Sequence, residues 1–191
     1  MIQKLCNNFA SERGFIRYLL AECEASLARL SEFQEVDFDK VERLVFVCLG
    51  NICRSPFGEF IAMEHKIDTA GFGIATSTGQ PAFDLAMTTA KKFNIDLSTH
   101  RTTAINDFTP LDTDLMLVME VRHARRLKNI LTDSNAQIAL LGNWAKPRRL
   151  HIHDPHTHDA VYFENCYKVI KSATENLVSD YLHKKNRQSF S

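Results

Sequence analysis

Residues 45–56 read VFVCLGNICRSP, and this stretch decides the fold because a strand, a short loop and a helix start follow one another directly. Residues 44–47 are all apolar, which predicts a strand buried on both faces of a parallel sheet. Pro56 is favoured in the first turn of a helix. We therefore expect the loop between them to lie at the carboxyl edge of the sheet, where open α/β folds bind ligands.

Downstream of this stretch, helical and strand patterns alternate. Their spacing predicts helices at about 55–66, 83–93, 121–131 and 161–182, and strands near 67–70, 113–119 and 137–142. Alternation of this kind places parallel strands in one sheet with helices on both faces. The prediction is an α/β fold of three layers, α/β/α, around a central four-stranded parallel twisted sheet.

The loop after the first strand combines a thiol with groups that bind an anion. Its backbone N–H groups and the following helix N-terminus can hold a phosphate dianion without a metal, and the same field favours the thiolate of Cys48. Arg54 can bind two phosphoryl oxygens at once. Gly50 permits close approach of the backbone, Asn51 tolerates a left-handed backbone, and Ser55 can donate its hydroxyl to the sulfur. The pattern predicts a phosphate-binding loop that carries a nucleophile.

The whole pattern is more specific than its parts. A Cys-x5-Arg pair alone is a weak signal, but the preceding strand, the glycine and asparagine, and the Arg-Ser-Pro ending are independent requirements. Residues 47–56 match the signature V-C-x-G-N-x-C-R-S-P, and the chain resembles the low-molecular-weight protein tyrosine phosphatases. The similarity runs from about 42 to 182 and includes DTAG at 68–71, GQPA at 79–82, IDLSTHR at 95–101, LMLVME at 115–120 and HDP at 153–155. Within the family, MEVRH at 119–123 and LGNW at 141–144 most resemble bacterial enzymes associated with capsule and exopolysaccharide production.

The resemblance implies chemical roles and no cofactor or metal. Cys48 is the expected nucleophile, and Arg54 is the expected clamp on the phosphoryl group in the transition state. Asp154 is the expected general acid and base, because a tyrosyl phenolate leaves poorly unless a carboxylic acid protonates it, and Asp154 lies on a proline-stiffened loop. The residues expected to bind phosphate or to support the loop are Leu49, Gly50, Asn51, Ile52, Cys53, Ser55, Thr69 and His100.

The same resemblance implies how the loop is supported and regulated. Thr69 and His100 are expected to hydrogen-bond Asn51 and to hold the loop in shape. Cys53 is expected to lie close to Cys48, so that a reversible disulfide between them would switch activity off and protect the nucleophile from over-oxidation.

The segment around Asp154 departs from the family pattern. Many relatives carry tyrosines directly after Asp-Pro, whereas this chain has HTH at 156–158. In relatives the loop after Ala70 often presents a Trp or Tyr to the substrate ring; here Thr76 falls near that place, which leaves Phe72 as the nearest aromatic candidate. The usual metallo-hydrolase arrangement His-x-His-x-Asp-His would need the aspartate one residue later. We therefore expect a polar, pH-sensitive loop rather than a metal site. The histidines concerned are His151, His153, His156 and His158.

Three other functions compete with this interpretation. An arsenate reductase of the same fold needs two further redox cysteines, and residues 54–165 contain none. A protein arginine phosphatase is nearer, but those relatives have a threonine in the place of Ile52. A non-catalytic module that binds phosphate or a phosphoprotein would lack an essential group. All of these groups are present: Cys48, Arg54, Ser55 and Asp154.

Composition indicates a single catalytic unit in the cytoplasm. The 191 residues include 23 basic and 23 acidic side chains and no long basic tract, so charge gives no reason to expect binding to nucleic acid or to a membrane surface. No apolar run approaches ~18 residues, and the amino terminus lacks a signal-peptide core. Five cysteines without a secretory signal indicate reduced thiols. By the resemblance, the expected partner is a phosphotyrosine protein, above all a tyrosine autokinase.

Residues 1–40 are predicted to be a helical extension, followed by the phosphatase domain at 41–191. A helix over about 11–33 would carry an apolar stripe, since steps of four and three residues separate Ile16, Leu20, Cys23, Leu27 and Leu30. We expect this stripe to pack against the catalytic domain. The alternative is that the stripe is covered in a homodimer or by a partner that docks on the helix. Two heptads are too short to predict a coiled coil.

Overall fold

The central sheet has four parallel strands, and this prediction is confirmed. A computed structural model describes residues 7–188. Its strands are β1 (Arg43–Cys48), β2 (Thr69–Gly73), β3 (Asp114–Val118) and β4 (Gln137–Leu140). They lie in the order β2-β1-β3-β4, and all three pairings are parallel. The strand order reverses beside β1, which is the position where doubly wound sheets bind ligands.

Helices cover both faces of the sheet, which confirms the three-layer architecture. They are α1 (Glu12–Ser26), α2 (Arg54–Met63), α3 (Asp84–Lys91), α4 (Val121–Ile130) and α5 (Ala160–Gln188). Side chains alternate along β1, so that Phe46 packs with Phe57 of α2 and Tyr167 of α5 in one core. Val45 and Val47 point to the other face and belong to a second core that α4 and α1 cover. The apolar strand is therefore buried on both sides.

Several element boundaries differ from the predicted ones, and three of them bear on the packing of the fold. The helix α1 ends at Ser26 rather than near 33, because Ala28 adopts a left-handed backbone with a φ of 55°. The strand β2 runs to Gly73, since its pairing with β1 continues as far as Cys48. The helix α5 extends beyond 182. It is 29 residues long. No helix in the described range, α5 included, is both long enough and apolar enough to cross a membrane.

The segment after α1 covers an edge of the sheet. The backbone N–H of Asp37 donates to Gln137 Oε1 at 2.8 Å, and Gln137 Nε2 donates back to the Asp37 carbonyl at 2.9 Å. Phe33 is buried in the core beneath β4, and Asn143 Nδ2 donates to its carbonyl at 3.0 Å. An uncovered edge strand offers unpaired backbone groups to other chains. This segment therefore shields the β4 edge.

The apolar stripe of α1 is not covered by the catalytic domain. Ile16, Leu20 and Leu27 are 54%, 56% and 65% exposed. The buried face of the helix carries the small residues Gly14 and Ala21 instead. The expectation that the domain covers the stripe is therefore wrong for these three side chains, because small residues allow the helix to approach more closely on its other face. A homodimer or a docking partner on the exposed face stays a prediction.

Candidate active site

The loop after β1 folds around the thiol of Cys48. The Ser55 hydroxyl oxygen lies 3.1 Å from Cys48 Sγ, and the backbone N–H of Asn51 donates to the sulfur at 3.2 Å. Asn51 has the left-handed backbone that its residue type tolerates, with a φ of 53°. A thiolate at this position would therefore have hydrogen-bond donors on two sides.

Further donors surround the same thiol. Within the described range, the N–H groups of Gly50, Ile52 and Cys53 donate to no protein acceptor, and the buried Nε of Arg54 has no partner. Buried donors in folded proteins are nearly always paired. Successive backbone N–H groups at a helix start, together with a guanidinium, are suited to bind the oxygens of an anion.

Asn51 is also the centre of the hydrogen bonds that hold the loop. Its Nδ2 donates to Ser55 Oγ at 2.9 Å, and its Oδ1 accepts from the backbone N–H of Thr103 at 3.0 Å. His100 Nε2 donates to the Asn51 carbonyl at 2.7 Å, as expected from the resemblance. Burial lowers the pKa of His100, which favours the neutral ring. Thr103 was not predicted, because a backbone donor leaves no signal in the residue type.

The structure does not bring Thr69 to Asn51, so the predicted hydrogen bond is absent from the described residues. In the parallel register Thr69 pairs with Leu44, whereas Gly73 pairs with Cys48. Thr69 therefore lies at the opposite end of the strand from the loop. Asn51 lies against Gly73 instead, where an added Cβ would come within 3.1 Å of the asparagine Cβ.

Arg54 joins the loop to two distant segments. Its side chain is 1% exposed, and its Nη1 donates to Glu120 Oε1 at 2.7 Å and to the Ile152 carbonyl at 2.9 Å. Its Nη2 donates to Asp154 Oδ2 at 2.6 Å. Sequence reasoning brought Arg54 and Asp154 together but missed Glu120. A signal was present, since Glu120 follows the apolar run of β3, which ends at the same sheet edge as β1.

The carboxylate of Glu120 is charged in a buried polar cluster. Burial alone would raise its pKa, but Arg54 and the neighbouring cations and histidines hold the pKa far below its usual range. Burial lowers the pKa of His123 to about 3 and that of His151 to about 4. At neutral pH the cluster therefore contains the Glu120 carboxylate, paired with both Arg54 and Arg122, and two neutral imidazoles. This fixed negative charge holds the guanidinium of Arg54 in place.

A cavity of about 250 Å³ opens above the loop. The Asp154 side chain borders the same cavity as the thiol and is 30% exposed, so solvent reaches its carboxylate. Six of the sequence-predicted site residues lie on its wall, whereas Arg54, Asn51 and Ser55 lie outside the lining. The cavity is lined by Cys48, Leu49, Gly50, Ile52, Cys53, Ala75, Asp154, His156 and Thr157.

The aromatic side chain near this cavity is not the predicted one. Phe72 is fully buried and stacks on Phe108 with ring centroids 4.5 Å apart, so it belongs to the core. The exposed ring of His156 instead packs against Phe83 at 4.6 Å. Sequence reasoning chose Phe72 and missed Phe83. The alternation of side chains along β2 turns Phe72 inward, and this can be seen only when the limits of the strand are known.

The other histidines of this segment form a polar layer behind Asp154. His151 Nε2 lies 3.3 Å from His153 Nδ1, and the rings of His153 and His158 are 5.6 Å apart. In the part of the chain that the structure describes, no three histidine, cysteine or acidic side chains come together as metal ligands would.

The cysteines near the site are free thiols. Cys48, Cys53 and Cys166 are each 2% exposed and unpaired by disulfides. Burial raises the pKa of Cys53 well above its usual range and that of Cys166 to about 12. Both are therefore protonated at neutral pH. The reversible disulfide between Cys48 and Cys53 stays a prediction.

These groups are the ones that a cysteine-dependent phosphatase requires: a thiol at the end of a strand, a loop of anion-binding donors, a buried arginine and a nearby carboxyl group. Comparison with known proteins agrees. The chain belongs to the low molecular weight phosphotyrosine protein phosphatase family, whose model matches residues 43–188.

The match with this chain covers most of the length of each of the following relatives. The protein named "Probable low molecular weight protein-tyrosine-phosphatase AmsI" of Erwinia amylovora is 30% identical over 143 residues, which cover 73% of this chain and 96% of that protein. The low molecular weight phosphotyrosine protein phosphatase of Gallus gallus is 34% identical over 144 residues, covering 68% and 89%. The structure of Vibrio vulnificus Wzb in complex with benzylphosphonate superposes with a TM-score of 0.64 at 28% identity, covering 73% and 99%.

Proposed function

We propose that the chain hydrolyses phosphotyrosine in proteins through a phosphocysteine intermediate formed on Cys48. The observation that carries the proposal is the set of unpartnered donors around the thiol, which includes the buried Nε of Arg54. A phosphoryl group offers three oxygens to these donors, and its phosphorus would then lie next to the sulfur. Positioning of this kind is a large part of phosphoryl-transfer catalysis.

Substrate binding changes the partners of Arg54. In the free protein its Nη2 donates to Asp154. A phosphate dianion accepts these hydrogen bonds in place of the aspartate, because it carries more charge and offers a bidentate acceptor. Glu120 keeps its own bond to Nη1, so the guanidinium stays in place while the Asp154 carboxyl group becomes free to hold a proton.

The reaction then takes two steps. The Cys48 thiolate attacks phosphorus, the bond from phosphorus to the phenolic oxygen breaks, and Asp154 gives its proton to that oxygen, so that neutral tyrosine leaves. In the second step the Asp154 carboxylate accepts a proton from a water molecule whose oxygen attacks phosphorus. The phosphorus–sulfur bond breaks, inorganic phosphate leaves and the thiolate is restored.

The cavity supports an aryl phosphate as substrate. Its wall above the loop is formed by Ile52, Ala75 and the ring of His156, which are apolar or flat surfaces suited to an aromatic ring. Phosphoarginine remains the alternative substrate within the same fold. Ile52 disfavours it, since its side chain offers no hydroxyl to a guanidinium.

We further propose that the physiological partner is a bacterial tyrosine autokinase of polysaccharide assembly and that the protein acts in the cytoplasm. The resemblance of residues 119–123 and 141–144 to the capsule-associated enzymes supports the partner. The free thiols of the described cysteines are consistent with a reducing compartment. The proposed phosphatase domain is 41–191.

A turnover assay with matched variants tests the mechanism. Phosphotyrosine, phosphoserine and phosphoarginine peptides would be incubated with wild type in reductant and excess chelator. Cys48→Ser is expected to abolish turnover of phosphotyrosine, and the exposed Cys23→Ser to leave it unchanged. Asp154→Asn is expected to slow it by roughly 10²- to 10⁴-fold, the usual contribution of a general acid, whereas Asp159→Asn on the same loop is expected to have little effect.

Three outcomes would contradict the proposal. Turnover that survives Cys48→Ser would exclude the phosphocysteine intermediate. Faster turnover of phosphoarginine than of phosphotyrosine would show that the alternative substrate is the correct one. Tight binding of phosphotyrosine without release of phosphate would indicate a non-catalytic binding module.

A further inference from the structure

The helix α1 lies across the segment that leads to Asp154. Glu22 is the main contact, because its Oε2 forms an ion pair with Arg148 Nη2 at 2.7 Å and its Oε1 accepts from the Leu150 N–H at 3.4 Å. Leu150 itself is fully buried and shares a core with Ala21 of the same helix. One helical turn of α1 therefore fixes both the backbone and a side chain of this segment.

The amino-terminal end of α1 extends the contact towards the acid. The Arg149 guanidinium lies over the ring of Phe9 at 4.4 Å and donates to the Asn8 carbonyl. Gly14 is buried against the ring of His153, because a Cβ added to Gly14 would come within 3.4 Å of His153 Cγ. The contacts of α1 and the turn before it thus reach to the residue that precedes Asp154.

On its inner side, the same segment is held by the catalytic site. Ile152 donates its N–H to the Met119 carbonyl at 2.9 Å, and its carbonyl accepts from Arg54. Asp154 has weaker support of its own: its side chain accepts from Arg54 and, at 3.2 Å, from the His156 N–H. When substrate takes over Arg54, the position of the carboxyl group depends on the backbone that α1 covers, together with the Tyr162 hydroxyl of α5, which donates to the His153 carbonyl at 3.2 Å.

We propose that α1 positions the general acid, with Glu22 as a positioning residue that acts through Arg148 and Leu150 on Asp154. The inference rests on the proposed function. The helix precedes residue 43, where the match to the family begins, so this support is an addition of the present chain to the family fold.

The leaving group separates a positioning role from a structural one. Phosphotyrosine needs a proton on its phenolic oxygen, whereas dinitrophenyl phosphate releases a stable anion without one. A displaced Asp154 therefore slows the first substrate and spares the second. General loss of structure slows both.

The experiment compares two charge reversals on the same helix in the full chain. Glu22→Lys opposes Arg148, while the control Glu24→Lys disrupts a similar ion pair with Arg125 on α4, away from the acid. For Glu22→Lys we expect kcat/KM for a phosphotyrosine peptide to fall about three- to tenfold, as befits a partly exposed ion pair, with dinitrophenyl phosphate changed less than about twofold. The control should change neither rate.

Two further variants make the inference refutable. In an Asp154→Asn background, Glu22→Lys is expected to have no added effect, because the residue acts through the acid. The charge swap Glu22→Lys with Arg148→Glu should restore turnover. The positioning role would be overturned if Glu22→Lys lowered the turnover of both substrates equally, or if it caused the same loss in the Asp154→Asn background. Failure of the proposed function itself would be distinguishable, because the single variant Asp154→Asn would then turn over phosphotyrosine as fast as wild type.

Discussion

Glu120→Gln should destabilise the fold by about 3–5 kcal/mol at pH 7, since it removes the buried negative charge that pairs with both Arg54 and Arg122. Glu120 is fully buried and Arg54 is 1% exposed, with 2.7 Å between Oε1 and Nη1. Glutamine keeps the shape and one acceptor oxygen, so the substitution isolates the charge. The folded-state pKa of Glu120 lies below its unfolded value of 4.5. The stabilising contribution is therefore fully present above about pH 4.5 and is lost as the pH falls below it.

The measurement is urea unfolding followed by far-UV circular dichroism, with Glu59→Gln as the matched control. No ion pair to Glu59 is present in the described range, and burial raises the pKa of its carboxyl group to about 7. Its neutralisation should leave stability unchanged at pH 8 or raise it by up to ~3 kcal/mol. If Glu120→Gln unfolds within about 1 kcal/mol of wild type, or if both variants lose equally, the ion pair is not what holds Arg54.

Three further outcomes are expected. Stability should fall from pH 6.5 to 4, because the pKa of His123 is about 3 when folded and the unfolded ring binds its proton first; His123→Gln should flatten the slope by ~1.4 kcal/mol per pH unit in unfolding titrations. Ser55→Ala should lower kcat/KM by roughly 10- to 100-fold, since it removes a hydrogen bond to the sulfur of Cys48, and an unchanged rate would contradict this. Tyr167→Phe should cost ~1 kcal/mol in urea unfolding, because its buried hydroxyl donates to the Cys53 carbonyl at 2.9 Å.

The sequence alone predicted the parts of the site that are close together in the chain. The strand, loop and helix around residues 45–56 follow from an apolar run, a glycine and asparagine, and a proline at the helix start. The contact of Ser55 with Cys48 spans seven residues, within reach of local geometry. The parallel sheet followed from the alternation of strand and helix patterns, because each pattern reports which face of an element is buried.

Contacts between distant segments needed the tertiary structure. Arg54 meets Glu120 and Asp154 across 66 and 100 residues, and only the first of these two partners was missed. The resemblance supplied Asp154, while the only signal for Glu120 was its place directly after the apolar run of β3, and this signal does not say which side chain it meets. The error for Thr69 has the same origin, since the register between β1 and β2 is set by the whole sheet.

The amino-terminal helix gives the clearest division between the two kinds of information. Periodicity predicted that α1 is a helix, because backbone propensity and side-chain spacing are local properties. It did not predict which face turns inward. The apolar stripe with Leu20 and Leu27 is exposed, and the small face with Gly14 and Ala21 is buried. The face was decided by how closely α1 can approach residues 148–153 and where Glu22 meets Arg148, and these depend on packing between segments that are over a hundred residues apart.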